Sequence, residues 1–177
     1  MGSSASSTAC PAATASGRAT RARAADPWWV IAARAGLRTA VLNVPCSWPA
    51  EAVNGVQVAG WLAPSARAPG FTHPPELAGE LAARFGDYPL HSDVQRLIAT
   101  GRIAAARERI LGNLRRKAEI ARDLLARARW DLMAVVFSDT DAAQHYLWHL
   151  ADPGHPAHDP RARASVGGVA RVGEVPQ

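Results

Sequence analysis

Residues 130–148 read WDLMAVVFSDTDAAQHYLW, and this stretch decides the fold. Residues 132–137 form an unbroken apolar run rich in β-branched side chains, which predicts a strand buried on both faces, as in a parallel sheet. Four small polar residues, 138–141, end the run and favour a turn that caps a helix. Residues 142–150 then have a helix-compatible composition. A strand, an acidic turn and a helix indicate the carboxyl edge of an α/β sheet, where ligands usually bind.

Asp141 and His145 are the two residues in this stretch that can do chemistry together. They are four positions apart, so they share one face at the start of a helix. A carboxylate and an imidazole on one face can serve as two ligands of a zinc ion or a similar divalent ion. The alternative is that Asp141 caps the helix and His145 is an ordinary surface or half-buried histidine, because short motifs often match by chance.

The residues before this stretch, 102–129, predict the longest helix of the chain. A helix that leads into a buried strand forms an α/β unit, so we expect a parallel sheet with right-handed crossovers. Apolar residues recur in the helix every three or four positions, which is the helical period. They are Ile103, Ala106, Ile110, Leu114, Ala118, Ala121, Leu125 and Ala128.

The upstream sequence predicts the remaining elements of the domain. They are helices at residues 27–35, 76–85 and 93–99 and strands at residues 38–44 and 56–61. The apolar face of the first helix is expected to consist of Trp28, Ile31 and Ala35. Residues 63–73 are rich in Pro and Gly and predict a loop.

Ser47 lies in a Pro-bounded turn after the strand predicted at residues 38–44. A nucleophilic serine would need a base nearby or the Gly-x-Ser-x-Gly turn of hydrolases, and the surrounding sequence contains neither. We therefore interpret Ser47 as a structural turn residue.

The composition fits a single soluble domain. The chain has 177 residues, 48% apolar residues and a net charge of +5. Its arginines are scattered among acidic residues, which argues against a nucleic-acid partner. No apolar run approaches the roughly 18 residues of a membrane helix, and no signal peptide is evident, so we expect a cytoplasmic protein. Residues 1–26 predict a disordered tail and residues 161–177 an irregular tail, which leaves 27–160 as the α/β domain.

Residues 138–148 resemble the metal-binding segment of the type I phosphodiesterase/nucleotide pyrophosphatase family, which belongs to the alkaline phosphatase superfamily. The shared pattern is an apolar strand, an Asp, three residues, a His and an aromatic cluster that ends in Trp. Residues 41–60 resemble the family's strand, Pro-rich turn and Gly-rich return, and residues 71–88 fit its next segment. The likeness covers roughly residues 27–160 in one order.

The resemblance implies an alkaline-phosphatase-like core fragment with a partial parallel or mixed sheet and flanking helices. It also implies hydrolysis of phosphodiester or pyrophosphate bonds in a small-molecule phosphodiester or nucleotide substrate. The family uses two zinc ions and a Thr or Ser nucleophile, and of its metal ligands only Asp141 and His145 carry over to this sequence.

The nucleophile and the remaining metal ligands of the family lie outside the region that matches residues 27–160, and neither flank of this chain shows them. We therefore expect a fragment or degenerate member of the family that is inactive alone. The alternative is a non-catalytic α/β interaction module that retains only the fold. Its incomplete sheet edges would favour self-association.

Overall fold

A computed structural model describes residues 25–90 and 92–158. All but two residues of the predicted tails, 1–26 and 161–177, lie outside these ranges. The described residues contain no helix that is long and apolar enough to cross a membrane. In chain order the elements are α1 (Trp28–Arg34), β1 (Thr39–Leu42), β2 (Gly55–Val58), β3 (Thr72–His73), α2 (Leu77–Phe85), α3 (Val94–Ala99), α4 (Ile103–Arg127), β4 (Leu132–Val135) and α5 (Ser138–Ala151).

The four strands form one mixed sheet in the order β3-β2-β1-β4. Strand β1 pairs in parallel with β2 and with β4, whereas β2 and β3 are antiparallel. The chain places β2 and β3 on one side of β1, passes through three helices and then places β4 on the other side. The α/β class with a mixed sheet and flanking helices is therefore confirmed. The strand order reverses between β1 and β4, which is where open α/β sheets usually bind ligands.

Strand β1 lies at the centre of the hydrophobic core. Successive side chains of a strand point to opposite faces of the sheet. Leu42 accordingly packs with Leu124 of α4 on one face, and Val41 packs with Trp29 and Val53 on the other. The long helix α4 thus covers one face of β1, and the short helix α1 covers the other.

The prediction that residues 132–137 form a strand buried on both faces is wrong in two respects. The strand β4 ends at Val135, and its residues are half-buried or exposed, with Leu132 at 40% exposure. The reason is its position, because β4 has β1 on one side and no second neighbour among the described residues. An apolar run cannot distinguish a central strand from an edge strand. Residues 138–141, predicted as a turn, instead form the first turn of α5.

The predicted apolar face of α1 is also wrong. Trp28 and Ile31 are 40% and 57% exposed, and Ala35 is the C-cap of the helix. The buried residues are Trp29 and Ala32. Almost every side chain of this seven-residue helix is apolar, so its periodicity does not select one face.

The predicted stripe of α4 is correct at Ala106, Ile110 and Ala121, whereas two of its later positions are displaced by one residue. Leu125 is 54% exposed, whereas Leu124 is fully buried. Lys117 occupies the buried position next to the predicted Ala118. A repeat of 3.6 residues leaves two adjacent positions near the centre of an apolar stripe, so the packing partner determines which of them is buried.

Gly60 allows the chain after β2 to pass against the chain after β1. A Cβ atom at this position would lie 2.3 Å from the carbonyl oxygens of Asn43 and Val44. We therefore expect Gly60→Ala to lower the free energy of unfolding by about 1–3 kcal/mol, because backbone atoms cannot move aside cheaply. Urea denaturation measures the effect.

Gly112→Ala is the matched control, because a Cβ atom there meets nothing within 4 Å. In the interior of α4 this change should raise stability by about 0.5–1 kcal/mol. Loss of stability by the same amount in both variants would contradict the close approach at Gly60.

Candidate metal centre

A cleft of about 600 Å³ opens at the carboxyl ends of β1 and β4. Pro45 and the 57% exposed Trp61 form its first wall. Residues 135–138, Thr140 and Asp141 form the second wall, which begins apolar in β4 and becomes polar at the start of α5. The cleft therefore combines an apolar surface with a polar rim.

Asp141 and His145 meet at this rim. Asp141 Oδ1 and His145 Nε2 are 3.2 Å apart, and the side chains are 65% and 71% exposed. The residue before α5 is Phe137, and no side chain caps the helix, so Asp141 lies within the first turn and does not cap it. The structure thus brings the predicted pair together on one face, while its role in metal binding stays a prediction.

The donor atoms of this pair fit one divalent ion. A carboxylate oxygen and an imidazole nitrogen that each bind a tetrahedral zinc ion at about 2.0–2.1 Å lie about 3.3 Å apart. The observed separation of 3.2 Å is close to this value and also suits a direct ion pair. Among the described residues no group of three His, Cys, Asp or Glu side chains could hold a metal ion. The pair therefore supplies two ligands, and a complete zinc site needs more.

A buried ion pair lies directly behind the start of α5. Lys117 Nζ is 2.6 Å from Asp139 Oδ2 and donates a hydrogen bond to Ser138 Oγ at 3.2 Å. The two charged side chains are only 4% and 6% exposed. Sequence reasoning missed this interaction, although a signal was present. Lys117 is the only lysine in the chain, and it interrupts the apolar stripe of α4.

A second polar contact joins the end of β1 to the loop after α2. The Tyr88 hydroxyl donates a hydrogen bond to Asn43 Oδ1. Burial raises the pKa of the Tyr88 phenol, the hydrogen bond to Asn43 opposes this effect, and the negative charge of Asp139 adds to it. The phenol therefore stays protonated at neutral pH and remains a hydrogen-bond donor. Asn43 itself is 4% exposed and has a positive φ of 62°.

Ser47 holds the loop that carries the first wall of the cleft. Its side chain is fully buried. The hydroxyl donates to the Val44 carbonyl at 2.6 Å and accepts from the Gly60 N–H at 3.0 Å. The fully buried Gln57 donates to the carbonyl oxygen of Ser47 at 3.1 Å. A hydroxyl that is enclosed and hydrogen-bonded in this way is structural, which agrees with the interpretation of Ser47 as a turn residue.

One comparison with known proteins finds a match. A family model described as type I phosphodiesterase / nucleotide pyrophosphatase matches residues 5–166 of the chain. No curated protein and no solved structure matches significantly. The matched range includes every described residue, and therefore the cleft with its Asp–His pair.

We expect Ser47→Ala to lower the free energy of unfolding by about 1–3 kcal/mol, because the buried Gly60 N–H loses its acceptor. Urea denaturation measures the loss. Ser65→Ala is the control, since that serine is exposed and its change should have little effect. Wild-type stability in the Ser47 variant would show that the hydroxyl does not hold the loop.

Proposed function

The chain belongs to the type I phosphodiesterase/nucleotide pyrophosphatase family, and from this premise we propose that Asp141 and His145 are zinc ligands for the hydrolysis of phosphodiester or pyrophosphate bonds. One observation carries the proposal. The two side chains meet at 3.2 Å on the rim of a cleft at the carboxyl ends of two parallel strands. Their donor atoms are those that zinc commonly binds.

The surroundings of the pair suit a phosphoryl group. Ser138, Thr140 and Asp141 in the first turn of α5 line the cleft, and the positive end of a helix dipole favours an anion. Asp141 and His145 would hold the metal; Asp141 lines the cleft, and both side chains are largely exposed. A bound zinc ion supplies Lewis-acid stabilisation of charge on the phosphoryl oxygens. The family resemblance implies two zinc ions, whereas the described residues supply two ligands in all.

The apolar wall of the cleft suits the organic part of a small phosphodiester or nucleotide. Trp61 presents an exposed indole beside Pro45. Such a surface can pack against a planar or apolar group while the phosphoryl group lies at the polar rim. The division of the cleft into an apolar wall and a polar rim thus supports a small-molecule substrate.

We expect the isolated chain to show no zinc-dependent hydrolysis of a chromogenic phosphodiester, because catalytic zinc usually takes three protein ligands and the described pair supplies two. The measurement compares initial rates with added zinc and with a chelator. Zinc-dependent turnover that disappears in Asp141→Ala would contradict the expected inactivity.

Calorimetric zinc titration tests the ligands separately from turnover. Asp141→Ala and His145→Ala should each remove the binding that the wild type shows. Asp87→Ala is the matched control, because this exposed aspartate pairs with Arg67 away from the cleft. Wild-type zinc affinity in the Asp141 and His145 variants would exclude the proposed ligands.

A second candidate function is a non-catalytic interaction module, and the outer edge of β4 favours it. The strand reads LMAV, carries no charge and has no neighbour on its outer side among the described residues. Natural edge strands are commonly protected by charges, proline or bulges, because an unprotected edge pairs with another strand. On this alternative the chain self-associates through β4.

If β4 mediates self-association, Leu132→Lys should shift the chain from dimer to monomer, because the lysine would place a charge on the edge strand. Light scattering after size-exclusion chromatography measures the mass. Leu125→Lys is the control, since Leu125 is exposed on α4. A wild-type chain that is monomeric at every concentration and unfolds cooperatively would exclude this function.

A further inference from the structure

We infer that Lys117 is a positioning residue, whose buried ion pair with Asp139 sets the rotation of α5 so that Asp141 faces the cleft with His145 in contact beside it. The inference rests on the proposed metal role of that pair. Lys117 does not touch the cleft itself, and it would act through the helix that carries both ligands.

Helical geometry connects the ion pair to the ligands. Successive residues of an α-helix are about 100° apart around its axis. Asp139 and Asp141 are two residues apart, so their side chains leave the helix on nearly opposite sides. Asp139 is accordingly 5% exposed, whereas the Asp141 side chain is 65% exposed. His145 lies one turn beyond Asp141, so a contact that holds Asp139 against α4 also directs both ligands away from α4.

Within residues 25–90 and 92–158, the other side-chain hydrogen bond at the start of α5 is local, from the Thr140 hydroxyl to the Phe137 carbonyl at 2.7 Å. Phe137 precedes the helix and provides no capping hydrogen bond. Lys117 Nζ instead contacts the first two residues of the helix, Ser138 and Asp139. Apolar packing holds the later turns, where Ala143 and Leu147 join the cluster around Ile110 of α4. The ion pair is therefore the contact that acts at the turn from which Asp141 projects.

Stability alone does not explain a lysine at this position. Its neighbours along the buried stripe of α4 include Ile110, Ile120 and Leu124. An apolar pair in place of a buried ion pair is often neutral or stabilising, because burial removes both charges from water. A directional pair of charges, unlike apolar contacts, prefers one distance and one orientation. The ammonium group of lysine is compact and can donate to two acceptors. The guanidinium group of arginine is larger and planar, so its donors have a different arrangement.

The ion pair also sets the charge that the cleft presents. Asp139 and Asp141 are both acidic residues in the first turn of α5. Lys117 neutralises Asp139 at 2.6 Å, so Asp141 remains the carboxylate that a cation in the cleft meets. Asp139 is therefore the structural carboxylate, and Asp141, two residues later, is the proposed metal ligand.

The test uses the double variant Lys117→Met/Asp139→Leu, because loss of one partner alone leaves a buried charge that can unfold the chain. Arg115→Met is the matched control, since Arg115 is exposed on the same helix. Urea denaturation should find the double variant folded and about as stable as the wild type. If the ion pair served stability alone, this replacement would change neither the amide protection of α5 nor the affinity for a metal ion.

The first readout needs no metal. Hydrogen exchange should lose protection at the amides of residues 142–146, which close the first turns of α5, while residues 118–126 of α4 stay protected as in the wild type and the control. Unchanged protection at residues 142–146 in the double variant would overturn the inference.

The second readout is the affinity for Co²⁺, followed by its visible absorption. The double variant should bind Co²⁺ about 10- to 100-fold more weakly than the wild type and the control, as when groups that orient metal ligands are removed. Wild-type affinity in the double variant would overturn the inference. If the wild type shows no Co²⁺ binding that depends on Asp141, the proposed metal role fails, and hydrogen exchange alone decides whether Lys117 holds the first turns of α5 in place.

Discussion

The parallel pairing of β1 with a neighbour on each side is the constraint on which the rest of the structure depends. All four residues of β1 are fully buried. Parallel strands end at the same edge of a sheet, so the segments that follow β1 and β4 meet there, although they are far apart in the chain. Because β2 and β4 lie on opposite sides of β1, the following segments diverge and leave a cleft between them.

Different interactions hold the two sides of this cleft. On the β1 side, Ser47 and Gln57 use neutral hydrogen bonds to fix the loop that carries Pro45. On the β4 side, the charged pair of Lys117 and Asp139 holds the first turn of α5. These groups are buried, whereas Trp61, Asp141 and His145 are exposed. The side chains that would meet a ligand are thus separate from those that position them.

Family membership and geometry contribute different parts of the functional conclusion. The family match assigns the chain to the type I phosphodiesterase/nucleotide pyrophosphatase family and thereby supports a hydrolase. The geometry brings a carboxylate and an imidazole to within 3.2 Å of each other, and the proposed metal role depends on this spacing. The described residues bring two donors together, and a catalytic zinc ion usually has three protein ligands. The unpaired edge of β4 supports the competing function, because the strand that leads into the candidate site is also the one that lacks a neighbour.

The sequence by itself determined the α/β class, the order of most elements and the shared face of Asp141 and His145. The first two features follow from local periodicity. The third follows from the spacing of four residues, because residues i and i+4 lie on the same face of any α-helix. Tertiary structure decided that β4 lies at an edge, that Trp29 rather than Trp28 is buried, and that Lys117 pairs with Asp139. The physical reason is that each of these features depends on which distant element lies opposite. A local sequence pattern does not specify which distant element packs against a residue. The packing of the helices onto the sheet determines it.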